Sequence, residues 1–244
     1  MNEHAAENNR TFSDACERDF AMRRCRELLH GLLSDWPRRS RSLLVMGAGS
    51  AELVESVWEA GFDVTVQDND ASRLERVGSL MGRRVECVLS APDHLPFDDK
   101  SFDYAAASPA LEFAGDLEAV QAEMGRLSCG GVILIFFNAW SVFGLEYRTR
   151  RAPAFAVAPG RLHNPYTPAA TARKVWPGKT RVWASALPGP CCTWRNGFFW
   201  RRVNSLDFPL PLGAVAGLRV DFAPMYAGTP LVLRDREPAV SAKP

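Results

Sequence analysis

Two short segments of the sequence combine a glycine-rich turn and an acidic side chain at a spacing that suits a nucleotide. Gly47-Ala48-Gly49-Ser50 follows one apolar run, and Asp68-Asn69 follows the next. Glycines let the chain turn sharply and leave backbone amides open to a ligand at the start of a helix. Asp68 lies 21 residues after Gly47. A carboxylate at that distance can accept hydrogen bonds from both hydroxyls of a ribose.

The residues between these segments predict the elements that position them. Apolar runs at residues 43–46 and 64–66 predict two strands, and apolar side chains recur between them at helical spacing until Gly61. The helical face carries Leu53, Val54, Val57 and Trp58. Strand, tight turn, helix and strand together form half of a mononucleotide-binding unit.

Glu52 argues against a cofactor that carries a pyrophosphate. The dinucleotide fingerprint G-x-G-x-x-G/A needs a third small residue, and Glu52 occupies that position when the count starts at Gly47. A carboxylate in the first helical turn repels phosphate charge, so a nucleotide-dependent oxidoreductase is disfavoured. S-adenosylmethionine is compatible with Glu52 because it has a ribose and an adenine but no phosphate.

Further apolar runs extend this unit into a larger α/β fold. Helical patterns at residues 71–81 and 116–127 alternate with strand patterns, and Gly130-Gly131 is a C-cap signal for the second helix. We expect the remaining strands at residues 84–89, 104–108, 132–137, 181–187 and 213–222. Continuous apolar strands between helices predict a doubly wound, seven-stranded, mostly parallel sheet.

Three stretches carry a family resemblance. LLVMGAGSA resembles motif I of class I S-adenosylmethionine-dependent methyltransferases, hydrophobic-D/E-x-G-x-G-x-G. Leu95-Pro96-Phe97 and Ser101-Phe102-Asp103 are similar to the L-P-F and S-F-D of the family's second signature, and EMGRLSCGGVILIFF is similar to E-x-x-R-V-L-x-P-G-G-x-L-x-I. Residues 42–137 therefore resemble the ubiquinone/menaquinone-biosynthesis-type methyltransferases of this class.

The resemblance implies a Rossmann-like methyltransferase fold, S-adenosyl-L-methionine as cofactor and a small organic acceptor. It also implies roles for the residues at the matching positions. Gly47, Ala48, Gly49 and Ser50 would line the methionine side, Asp68 and Asn69 the ribose, Ala91, Pro92 and Asp93 the adenine, and Ser108 the meeting point of donor and acceptor.

Two departures from the family pattern leave alternatives open. Val45 occupies the usual acidic position of motif I, and Ala91 aligns with the Asp that normally takes the adenine amine. A non-catalytic protein that binds S-adenosylmethionine is one alternative. A nucleic-acid methyltransferase is another, although Ser108-Pro109-Ala110-Leu111 stands where enzymes that methylate base amines carry N/D-P-P-Y/F.

No side chain is assigned a catalytic role. Direct in-line transfer from a sulfonium depends mainly on orientation and needs no obligatory acid, base or nucleophile. His94, His163 and Tyr166 are candidates to assist an acceptor. Cysteines and histidines never approach zinc-ligand spacing, so no metal is expected.

Length, charge and cysteine content limit the remaining possibilities. The 244 residues suit one domain, residues 1–244, with an N-terminal helical segment at 1–37 and a helical cap insertion at 138–180. No 18-residue apolar run, signal core or C-x-x-C pair is present, which predicts a cytoplasmic protein. Residues 141–244 carry 15 Lys and Arg against 5 Asp and Glu, a balance that favours an anionic or amphipathic acceptor, a nucleic acid or a membrane surface.

Overall fold

The computed structural model describes residues 19–49, 51–108, 116–149, 162–194 and 198–222. Within these ranges the chain forms helices and strands in alternation. The helices are α1 (residues 19–33), α2 (Ala51–Glu59), α3 (Ala71–Met81), α4 (Leu117–Leu127), α5 (Val142–Arg148), α6 (Tyr166–Val175) and α7 (Phe198–Asn204). The strands are β1 (Ser42–Met46), β2 (Asp63–Asp68), β3 (Glu86–Leu89), β4 (Phe102–Ala107), β5 (Ser128–Asn138), β6 (Leu162–His163), β7 (Thr180–Ala186) and β8 (Val215–Asp221).

The strands form one mostly parallel sheet in the order β3-β2-β1-β4-β5-β8-β7. Strands β1 to β5 run parallel, while β8 is antiparallel to both β5 and β7. The predicted doubly wound seven-stranded sheet is confirmed, and β7 and β8 are its predicted sixth and seventh strands. The two-residue strand β6 is an addition, paired in parallel with the end of β5.

Alternate residues of the central strands feed two cores on opposite faces of the sheet. Val45 and Ile133 pack on one face, against apolar side chains of α1, α2 and α3. Leu44 and Leu134 pack on the other face, against α4 and α6. Because successive strand residues point to opposite faces, continuous apolar runs bury both faces at once.

The N-terminal segment is fastened to the sheet by aromatic and ionic contacts. The Trp36 ring stacks on Tyr104 with centroids 4.1 Å apart, and its Nε1 donates to Asp221 Oδ1 at 2.8 Å. Buried Arg219 donates to the Leu32 carbonyl at the end of α1. These contacts join α1 to β4 and β8. The domain boundaries at residues 37, 138 and 180 stay a prediction.

The interpretation of Gly130-Gly131 as a helix cap is wrong. Helix α4 ends at Leu127 with Ser128 as its C-cap, and both glycines lie inside β5. A Cβ on Gly131 would lie 2.7 Å from the Val220 carbonyl oxygen, so a glycine is required by the close approach of β8. A strand glycine at such an approach gives the same sequence signal as a cap.

One smaller expectation also differs from the structure. The predicted helical face of α2 included Trp58, but that ring is 36% exposed and lies under the Arg84 guanidinium.

Helix α6 begins at Tyr166, so Pro168 lies in its first turn. Proline is tolerated there because the first turn's N–H groups lack helical partners.

Replacing Gly131 with alanine tests the close approach of β5 and β8. We expect Gly131→Ala to lower the free energy of unfolding by about 1–3 kcal/mol, since the added methyl group overpacks a rigid backbone contact. Gly78→Ala is the matched control: nothing lies within 4 Å of its Cβ position in α3. That control should gain about 0.4–1 kcal/mol. Equal effects in urea unfolding would contradict the packing role of Gly131.

Candidate cofactor and acceptor site

The candidate site lies where the strand order reverses. Strand β1 sits between β2 and β4, so the loops after β1 and β4 leave the sheet side by side. Open α/β sheets bind ligands at the carboxyl ends of the strands at such a switch point. Gly47 follows β1 and Ser108 follows β4, and the Ser108 amide donates to the Met46 carbonyl at 2.9 Å. The fold thus brings the segment predicted for the methionine side next to Ser108, the residue predicted for the meeting point of donor and acceptor.

The glycine loop adopts a backbone conformation that requires glycine. Gly47 has φ +84° and Gly49 has φ +49°, both in the left-handed region. The Gly47 amide donates to the Gln67 carbonyl at 2.8 Å, which ties the loop to the end of β2. Ala48 is buried and α2 begins at Ala51. The predicted site residue Ser50 lies outside the described residues.

The Asp68 side chain, at the end of β2, is hydrogen-bonded to the glycine loop. Its carboxylate is 2% exposed, and Oδ2 accepts from the Ala48 amide at 2.7 Å. Oδ1 accepts from the Asp70 amide at 2.9 Å and lies 3.6 Å from Arg73 Nη1. A carboxylate has about four lone-pair sites, so capacity remains for a ligand hydroxyl. Its contact with a ribose, and that of exposed Asn69, stay predictions.

The segment predicted for the adenine lies next to Asp68. The Ser90 amide, at the end of β3, donates to the Asp68 carbonyl at 3.1 Å. Ala91 and Asp93 are exposed and Pro92 is partly exposed. The structure therefore brings the predicted ribose and adenine segments to the same edge of the sheet.

An ion pair on α4, between buried Glu123 and partly buried Arg126, fixes the loop that follows this segment. Glu123, 7% exposed, accepts from the Leu95 amide at 2.7 Å and from Arg126 at 2.7 and 2.8 Å. Arg126 also donates to the Phe97 carbonyl and to Asp99. Hydrogen bonds from Arg126 lower the pKa of Glu123, and those from Glu123 and Asp99 raise the pKa of Arg126. The E-x-x-R stretch thus holds the L-P-F loop.

The position of β6 follows from which edge of β5 is free to pair with it. The edge of β5 that faces β8 is occupied as far as Phe137, while β4 pairs with β5 only as far as Leu134. A strand has two hydrogen-bonding edges, so β6, paired at Phe137 and Asn138, must use the β4 edge. It therefore lies beyond the end of β4, above Ser108.

Asn138 assembles the surface around this position. The fully buried side chain donates to the Pro211 and Gly213 carbonyls at 2.8 and 3.1 Å and accepts from the Trp140 amide at 2.8 Å. The Ala139 amide donates to the His163 carbonyl. Large apolar side chains on the connected segments remain exposed: Trp140, Val142, Leu145, Tyr166, Leu210 and Leu212. We call this set the apolar rim.

The histidine and tyrosine candidates differ in their surroundings. His163 is partly buried with its ring edge-on to Phe136, and burial lowers its pKa. Tyr166 is 58% exposed and contacts Trp140 at 5.3 Å between ring centroids. His94 is exposed in the loop after β3. His163 and Tyr166 thus lie in β6 and at the start of α6, and none of the three is given a catalytic role by its contacts.

Two residues of this edge were missed in the sequence. Asn138 is the first polar residue after the apolar run 132–137. Its position at the carboxyl end of a predicted strand could have marked it as a candidate site residue. Gln67 interrupts the apolar character of β2 one residue before Asp68. No group of three or more His, Cys, Asp and Glu side chains suited to a metal occurs among the described residues.

Comparison with known proteins agrees with this architecture. Residues 44–136 match the family model of a methyltransferase domain. No curated protein matches the chain. Among solved structures, a S-adenosylmethionine-dependent methyltransferase of Thermotoga maritima, described as a possible histamine N-methyltransferase, superposes with a TM-score of 0.63 at 18% identity, over 89% of this chain and 95% of that one.

Two further structures show the same fold at lower identity. A S-adenosylmethionine-dependent methyltransferase of Mesorhizobium loti has a TM-score of 0.55 and 14% identity, over 78% of this chain and 95% of that one. One of Aquifex aeolicus has a TM-score of 0.55 and 9% identity, over 79% and 88%. Residues 44–136 thus match a methyltransferase domain, and the fold is the Rossmann-like fold of class I S-adenosylmethionine-dependent methyltransferases.

The described residues fit the cofactor of this class, S-adenosyl-L-methionine. The glycine loop offers close backbone approach, and the Asp68 carboxylate lies beside it. Buried Gln67 Oε1 and Ser90 Oγ lack partners in the structure, as expected where a polar ligand edge completes the hydrogen bonding. When bound, the cofactor would supply an electrophilic methyl group, and these residues would hold and orient it. No helix in the described part of the chain is long and apolar enough to cross a membrane.

Removing Arg126 tests the role of the ion pair on α4. We expect Arg126→Met to lower the free energy of unfolding by about 1.5–3 kcal/mol, because buried Glu123 loses charged hydrogen bonds. Lys174→Ala is the control. It removes an exposed pair with Glu118 on the same helix α4 and should cost less than about 1 kcal/mol.

The difference in free energy of unfolding between wild type and Arg126→Met should depend on pH in one direction. Because the folded-state pKa of Glu123 is lowered from its ordinary 4.5, its contribution is present above 4.5 and is lost as the pH falls through the folded-state value. Urea unfolding of wild type and Arg126→Met should therefore converge on acidification. A gap that widens below pH 4.5 would contradict the assignment.

Proposed function

We propose that the protein transfers the methyl group of S-adenosylmethionine directly to a small organic acceptor that is amphipathic or anionic. The transfer forms a bond between the acceptor atom and the methyl carbon, breaks the carbon–sulfur bond and leaves S-adenosylhomocysteine. A hydroxyl or amine acceptor also gives up a proton to solvent or to a neighbouring base. The ubiquinone/menaquinone-biosynthesis type is the subfamily that the sequence favours.

The observation that carries this proposal is the arrangement of Asp68 and the glycine loop. A buried carboxylate fixes the Ala48 amide at the switch point, so the loop conformation exists before a ligand arrives. A preorganised site binds with less ordering cost than a flexible one. We propose the methionine side at Gly47 to Ser50, the ribose at Asp68 and Asn69, the adenine at Ala91, Pro92 and Asp93, and the transfer position at Ser108.

The apolar rim supports an acceptor with an apolar part. Trp140 is 61% exposed and Tyr166 is 58% exposed, and both lie on segments that Asn138 and β6 hold beyond the end of β4. Contiguous exposed apolar side chains mark ligand or partner surfaces in soluble folds. Arg148 donates to the Ala139 carbonyl beside Trp140 and adds a positive charge that favours an anionic group.

The chemistry that we propose depends on orientation. Holding two reactants in line replaces a bimolecular encounter and can supply most of the rate acceleration. The fixed glycine loop would orient the donor, and β6 with the apolar rim would orient the acceptor. The transfer itself requires no general base.

Cofactor binding and turnover test the proposal in sequence. Isothermal titration with S-adenosylhomocysteine should show one site, and Asp68→Ala should lower the affinity at least about tenfold, since loop and ribose lose one partner. Glu86→Ala, an exposed carboxylate at the start of β3, should leave the affinity unchanged. Absence of binding to wild type would overturn the proposal.

Acceptor preference tests the apolar rim. With S-adenosylmethionine as donor, release of S-adenosylhomocysteine should be faster with a long-chain alkylphenol or 4-hydroxybenzoate than with glycine. Trp140→Ala should raise the KM for the alkylphenol about tenfold, because the acceptor loses an apolar contact with this ring. Burial of an aromatic side chain is worth a few kcal/mol at most. Leu80→Ala, at another exposed apolar site near the end of α3, should not change it. Preference for glycine would contradict an amphipathic acceptor.

A further inference from the structure

One side chain at the edge of the candidate site is buried with half of its hydrogen bonding unmet. Gln67 is fully buried near the end of β2, and its Nε2 donates to the Ser90 carbonyl at 2.6 Å. A carbonyl oxygen can only accept, so this contact fixes the orientation of the amide. Gln67 Oε1 must then be the acceptor that is left, and it has no partner in the structure.

A second unpaired atom belongs to the residue that Gln67 contacts. Ser90 Oγ is also buried and without a partner. A hydroxyl can donate as well as accept, so the two residues offer one fixed acceptor and one adaptable donor. Buried polar atoms of this kind are rare in native proteins and call for a ligand, a water molecule or a functional reason.

The position of the pair points to a ligand. Gln67 precedes Asp68 in β2, and Ser90 follows β3 and precedes the segment Ala91 to Asp93. Gln67 is therefore adjacent in the chain to the residue proposed for the ribose, and Ser90 to the segment proposed for the adenine. Ala91 has no polar side chain, and Pro92 has no N–H, so these two residues cannot supply a side-chain acceptor or a second amide donor.

We propose that Gln67 and Ser90 read the edge of the adenine ring, with Gln67 Oε1 accepting a hydrogen bond from the exocyclic amine and Ser90 Oγ donating to the neighbouring ring nitrogen. This assignment rests on the proposed function, since it requires S-adenosylmethionine in the site. The neutral amide of Gln67 takes the place of the Asp side chain with which Ala91 aligns. It reads the amine without burying a charge, which would be costly at a fully buried position.

The assignment predicts discrimination between adenine and hypoxanthine. Adenine presents an amine donor beside a ring-nitrogen acceptor, whereas hypoxanthine presents a carbonyl acceptor beside an N–H donor. Gln67 Oε1 would face the hypoxanthine carbonyl, and two acceptors repel each other. A site built to hydrogen-bond a ligand group rejects analogues that lack it.

Titration of two nucleosides against matched variants tests the assignment. Wild type should bind S-adenosylhomocysteine at least about tenfold more tightly than S-inosylhomocysteine. Gln67→Met keeps an unbranched side chain of similar length. It should bring that ratio close to one, because it lowers the affinity for S-adenosylhomocysteine. Ser90→Ala should reduce the ratio in the same direction.

Gln121→Met is the control. Gln121 is also fully buried, donates through Nε2 to the Pro168 carbonyl at 3.2 Å and has an unpartnered Oε1, but it lies between α4 and α6. This variant carries the same chemical change and should keep the wild-type ratio. Thermal unfolding of each variant checks that it is folded.

The outcomes separate this inference from the proposed function. If wild type binds neither nucleoside, the proposed function fails. If wild type binds both equally, or if Gln67→Met retains the preference, the cofactor site stands and the reading by Gln67 is wrong. If Gln67→Met does not fold, the wild-type ratio and Ser90→Ala decide.

Discussion

The hydrogen bond between the Asp68 carboxylate and the Ala48 amide is the contact on which the candidate site depends. It joins the ends of two neighbouring strands and holds a loop whose glycines have left-handed backbone angles. The acid is 2% exposed, so this bond is protected from competing water. A ligand that uses both the loop and the acid therefore meets groups already in position.

Other polar side chains fix loops of the fold in a similar way. Glu123 and Arg126 fix the loop after β3, and Asn138 fixes the segments after β5 and before β8. Glu123 and Asn138 are buried and Arg126 is partly buried, and each makes a hydrogen bond to the backbone of another segment. Loops placed this way are kept in register by the rigid sheet, which is how parallel α/β folds position binding residues.

The order of strands and helices was predictable because apolar runs and helical spacing report burial directly. The glycine loop and Asp68 were predictable from their spacing. Residue pairs far apart in sequence were not: the contact between Gln67 and Ser90, or the place of β6 on the β4 edge, depends on tertiary pairing. Gly131 shows the limit most clearly, since only the neighbouring strand reveals why a glycine stands there.

The central claim is that a preformed loop and one buried acid hold an adenosine at the ends of β1 and β2. A crystal structure of the protein with S-adenosylhomocysteine tests it most directly. The account predicts the nucleoside across those strand ends, with a ribose hydroxyl within hydrogen-bond distance of Asp68 and the Ala48 contact intact. A nucleoside bound elsewhere, or a crevice filled by the protein's own side chains, would contradict it.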